Sequence, residues 1–207
     1  MAKTSGKTRE KTGGKFVVGD DNYKGKIGKV ESLKTIQTRE VYNSVKDAIA
    51  RFHSVLGVRQ RNIKLADLDD ALGVHVTKDG QSAGVYLNKS FFQPSSVTTQ
   101  SIAKTIKDSY DTGFLTRTNQ PISHVVSHEL AHALWNSHLT TKNALEAAPE
   151  IKALYRQWVA DKSKKSYGAY ASSSISEWFS ETTVKAVHGS SDEYTRKLKE
   201  IIKKHNL

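Results

Sequence analysis

The segment Ile122-Ser-His-Val-Val-Ser-His-Glu-Leu-Ala-His-Ala-Leu-Trp135 constrains this chain more than any other. Val126, Leu130, Ala133 and Leu134 recur at helical spacing, so it predicts a helix whose apolar side packs into a core. On the same helix lies His128-Glu-Leu-Ala-His132. Side chains at i and i+4 sit one above the other, so the imidazoles of His128 and His132 can grip one metal ion from a single face. Glu129 is turned by roughly 100° about the axis, beside the ion rather than on it. A carboxylate there can take a proton from a water that the ion activates.

The rest of the ligand set is narrowed by composition. None of the 207 residues is cysteine, which excludes a disulfide scaffold, a thiol nucleophile and a thiolate-held metal. Any ion therefore rests on His, Asp or Glu. Two histidines alone bind zinc weakly, and catalytic sites use three protein ligands with an open fourth position. The carboxylates that follow are Glu146, Glu150, Asp161, Glu177 and Glu181. Glu177 and Glu181 are again i and i+4 on one helix face, so one can bind the ion while the other orients a liganding imidazole. Glu146 and Glu150 could do the same, but they flank Pro149 at an expected helix start, where acidic residues have an ordinary dipole role.

Around this centre the pattern predicts an α+β fold. Val41, Val45, Ala48, Ile49, Phe52, Val55 and Leu56 follow one helix face that ends at Gly57. Val74-His-Val-Thr77 and Val85-Tyr-Leu87 flank Asp79-Gly80 and read as a hairpin or neighbouring strands. Ile102, Ile106 and Tyr110 predict a helix stopping at Gly113, and Pro149 a helix start before Ile151, Leu154, Tyr155, Trp158 and Val159. Ser190 with Glu193 reads as a capping box for a last helix. All sheet content is expected before residue 95.

Lys and Arg number 32 against 21 Asp and Glu, a formal charge of +11 that favours polyanions or acidic partners. Residues 1–37 carry much of this excess among Gly, Ser and Thr and read as a basic flexible arm, either solvated or meeting a polyanion. Phe16-Val-Val18 could pin part of it as an edge strand. A single domain is expected over residues 38–207. No apolar run approaches the roughly 18–20 residues that span a bilayer, and Met1 to Lys15 lacks the apolar stretch of a signal peptide. A cytoplasmic or virion-associated protein without membrane contact is the expectation.

His128-Glu-Leu-Ala-His132 followed by Tyr170-Ala-Ser-Ser-Ser-Ile-Ser-Glu177-Trp-Phe-Ser-Glu181 resembles the gluzincin metallopeptidases. The resemblance is to the branch of the anthrax lethal factor catalytic domain and the zincin-like domains of phage head-morphogenesis proteins, over roughly residues 84 to 188. It implies zinc on His128, His132 and Glu177, with Glu181 orienting a ligand and Glu129 as general base. It assigns the oxyanion-stabilising tyrosine to Tyr170, with Tyr167 less well spaced. It further implies a protein or peptide substrate and a zincin-like fold, in which Ala83 to Phe91 resembles the antiparallel edge strand above the cleft. The chain departs from the family at Ala131, often Gly there, and at Thr182-Thr183, often Ala-Phe. A phage or prophage setting follows, with a virion structural protein whose basic arm contacts polyanion or capsid as the alternative. His124, on the same stripe as His128, reads as a surface residue or a supporting one; His138 and His188 read as surface residues. Trp135, Trp158, Trp178 and Phe179 read as core, and the lysines at 162, 164, 165, 199, 203 and 204 as solvated faces.

Overall fold

The computed structural model describes residues 16–18, 25–59, 62–69, 71–78, 81–93, 99–137, 141–161 and 166–207. The architecture is α+β. A mixed sheet is formed by β1 (Phe16–Val18), β2 (Val30–Ser32), β3 (Ile63–Ala66), β4 (Gly73–Lys78) and β5 (Gln81–Asn88), in the order β1-β4-β5-β3-β2. Only β3 and β5 are parallel; the other pairs are antiparallel. The helices are α1 (Arg39–Leu56), α2 (Lys89–Phe92), α3 (Thr99–Asp111), α4 (Pro121–Ser137), α5 (Lys142–Ala160), α6 (Ile175–Val187) and α7 (Glu193–Lys204). None of the described helices is long and apolar enough to cross a membrane.

Strand alternation divides the core. Leu65, Val85 and Leu87 join the main cluster with Val45, Phe52, Val126 and Leu130, whereas Ala66, Val74 and Val76 face the other way and pack with Ile27 and Tyr86. Helix α1 forms as its spacing predicts: Val41, Val45, Ala48, Phe52 and Leu56 are buried, and Gly57 ends it at φ 74°. Burying each such side chain is worth roughly 1.5–3 kcal/mol. Helix α4 lies against β4 and β5, with α1, α3 and α6 around it. Every residue from Ser123 to Leu134 is buried, so α4 has no solvated face along that stretch.

Several expectations require correction. The segment resembling an edge strand above the cleft, Ala83 to Phe91, runs into β5, which is central and hydrogen-bonded on both sides. The edges are β1, on the Phe16-Val-Val18 segment expected as an edge strand, and β2, which also lies within residues 1–37; residues 1–15 and 19–24 lie outside the described residues. Gly84 does permit a close approach, but to β3: at φ 139° it sits where a Cβ would be 2.7 Å from the carbonyl oxygen of Asn62. Pro149 lies inside α5 and does not start it; the helix begins after Thr141, whose side chain accepts from the Ala144 N–H. The last helix is capped by Asp192, which accepts from the Thr195 N–H, while Ser190 donates to Asp192. The turn at Asp79-Gly80, His138 and the lysines at 162, 164 and 165 lie outside the described residues.

Candidate metal centre

Helix α6 is what α4 faces. Ser174-Ile-Ser-Glu177 has the spacing of a capping box, and the Ser174 hydroxyl accepts from the Glu177 N–H at 3.1 Å. The Glu177 carboxylate, however, does not fold back on the cap. It reaches α4, with Oε2 3.0 Å from Nε2 of His128 and 3.2 Å from Nε2 of His132. One turn on, Glu181 Oε1 lies 2.9 Å from Nδ1 of His128, and Ser176 Oγ lies 3.0 Å from Nδ1 of His132. The Glu181 carboxylate accepts from Nδ1–H of His128, and the Ser176 hydroxyl can accept in the same way from His132, the tautomer that leaves both Nε2 lone pairs aimed inward.

Three electron-rich atoms therefore converge. The two Nε2 atoms are 3.0 Å apart, and both are close to the same Glu177 oxygen. The edges of a tetrahedral site with bonds of about 2.0–2.1 Å are roughly 3.3 Å, close to this triangle. Glu177 Oε1 is buried with no hydrogen-bond partner among the described residues, a costly state for a carboxylate unless a cation satisfies it. Without an ion a proton serves. Burial alone would lower the pKa of His128, but Glu177 and Glu181 outweigh it and raise it well above its ordinary value. Burial likewise pushes Glu177 up, and the two imidazoles more than reverse this, bringing it down to about 2. Glu181 is held well below the carboxylate range, the cost of burial being overcome by His124 and His128.

A second buried group shares His128: His124, His128 and Glu181 also bring ligand-type atoms together. His124, read from the sequence as a surface residue or a supporting one, lies inside. It is 1% exposed, with Nε2 3.2 Å from Glu181 Oε1. His188 is also a correction, since both ring nitrogens are buried; burial, then the charges of His124 and Arg51, push it down to about 4.

Glu129 is 6% exposed and points toward β4, where a Cβ on Gly73 would stand 2.7 Å from its Cγ. Tyr170 is brought beside His128, ring centroids 5.7 Å apart, with Phe114 5.0 Å away on the tyrosine. The cause is a backbone clamp: Ala169 N–H donates to Gly113 and Tyr170 N–H to Phe114. Gly168 fits there only because it lacks a Cβ, which would fall 2.3 Å from the Phe114 oxygen. The same loop delivers the Thr116 N–H to Glu181 Oε2 at 2.8 Å. Tyr167 lies elsewhere, its hydroxyl toward Asp192 and its ring under Lys185. Glu146 and Glu150 are also remote; Glu150 pairs with Lys204 and His205.

The sequence argument missed Ser176, Thr116, Gly73 and Gly168, none of which carries a chemical signature by itself. Among the expected residues, the structure brings His128, His132, Glu177 and Glu181 together, sets Tyr170 beside His128 and Glu129 beside Gly73, and gives Glu177, not Glu181, the reach to both Nε2 atoms. The chain matches no protein-family model, no curated protein and no solved structure, so what it holds is a buried His/Glu cluster of metal-binding character on an α+β fold.

Proposed function

We propose that this chain is a zinc-dependent metalloendopeptidase of the gluzincin type. The observation that carries the reading is the convergence of His128 Nε2, His132 Nε2 and Glu177 Oε2 within 3.0–3.2 Å, with Glu129 on the next helix position. Two imidazoles and one carboxylate suit zinc, which takes nitrogen and oxygen ligands without geometric demand. When bound, the ion would polarise a scissile carbonyl and lower the pKa of a water to about 7. Glu129 accepts the proton from the attacking water and passes it to the leaving amine. Tyr170 donates its hydroxyl to the oxyanion that develops on the carbonyl oxygen. Glu181 and Ser176 hold the imidazoles in the tautomer that binds.

The test is zinc content beside activity. Elemental analysis of the full chain should give one zinc, absent in His132→Ala. Glu129→Gln should retain zinc while peptide hydrolysis falls by about 10²–10⁴-fold. A wild-type chain that stays empty after refilling at neutral pH would end the metallopeptidase reading.

A further inference from the structure

Three histidines stand on one stripe of α4, and the proposed centre uses only two. His124 is sealed between α3 and α6, with Tyr110 at 5.5 Å between ring centroids and His128 stacked at 6.1 Å. Its Nε2 reaches the same Glu181 oxygen that accepts from His128 Nδ1. The other oxygen of Glu181 is taken by the Thr116 N–H. Glu181 is thus held by donors from α4 and from the loop after α3. Without His124, the carboxylate that orients His128 loses one of its two anchors from outside the ligand pair.

We propose that His124 is a positioning residue of the metal centre, fixing the carboxylate of Glu181 so that His128 presents Nε2 to the ion. The inference rests on the metal-centre reading above. The alternative, an ion held by His124, His128 and Glu181 themselves, asks His128 to offer Nδ1 as a lone pair. A neutral imidazole has only one such nitrogen, so that ion would compete with the one at Glu177 and not accompany it.

Zinc affinity of the full chain, measured by competition with a chromophoric chelator, tests this without substrate. The absorption spectrum of the cobalt-substituted protein reports ligand geometry alongside. His124→Leu fills the volume but removes the donor, and zinc affinity should fall about tenfold, the lower end of the range for groups that support metal ligands. His124→Gln can place an amide N–H near the Nε2 position and should restore affinity and the cobalt spectrum; His124→Asn is too short and should behave as His124→Leu. If His124→Leu does not fold, the Gln and Asn pair decides. Equal affinity and spectra in all variants, with His132→Ala abolishing binding, would overturn the positioning role while leaving the metal centre intact. Zinc retained by His132→Ala but lost from His124→Leu would overturn it in favour of the inner site. A wild-type chain without zinc would remove both readings.

Discussion

His75 and His128 show how one residue type takes opposite charge states under similar burial. His128 faces two carboxylates and gains a proton, whereas His75, 0% exposed, faces none. Nδ1 of His75 accepts from the Asn136 amide at 3.1 Å and its Nε2–H donates to Ser82 at 2.9 Å. Burial, then the charge of His132, push it down to about 3. In the unfolded chain the same group titrates near 6.5. Its folded-state pKa is depressed, so the unfolded chain binds the extra proton, and the stability is complete above pH 6.5 and drains away as pH falls toward 3. In urea titrations with chelator present, the advantage of wild type over His75→Gln should shrink by about 2 kcal/mol between pH 7 and pH 5. A constant gap would show that His75 titrates alike in the folded and unfolded chains.

Elements place Glu129, the proposed base, as firmly as they place the candidate His/Glu cluster. Strand β4 runs along α4, and its first residue, Gly73, occupies the space beside Glu129. A methyl group there would meet Cγ at 2.7 Å and Cδ at 3.2 Å, so Glu129 must move. Gly73→Ala should therefore leave zinc content unchanged and lower kcat by up to about 100-fold, as a displacement near 1 Å can. Unaltered turnover with full zinc would show that Glu129 is not the base. The same scale explains where local reading stopped. Pro149 has the signature of a helix start, yet Thr141 caps α5 earlier, and Ala144, Ala147 and Ile151 bury a continuous face across the proline. Tertiary burial there outweighs the missing backbone hydrogen bond.

Across the whole molecule, the proposed ion would add a further tie between α4 and α6, two helices separated in sequence and joined by packing and by the hydrogen bonds of Glu181 and Ser176 to the α4 histidines. Anything bound only by the folded chain stabilises it by mass action, about 4 kcal/mol at a free concentration 1,000 times Kd. Thermal unfolding of the full chain should shift upward with zinc and downward with chelator, and His132→Ala should respond to neither. The sequence by itself determined the α+β class, the extent of α1, the strands of the hairpin, and the pairing of His128 with His132. Each follows from a local period, in which i and i+4 share a helix face and i and i+2 a strand face. Only the tertiary structure decided that β5 is central, that Val30–Ser32 forms the edge opposite Phe16–Val18, that Glu177 reaches both imidazoles, and that His124 is buried against Glu181. Those facts depend on which face of α6 meets α4 and which strand lies beside β4. Such contacts join residues dozens of positions apart, and no local period records them.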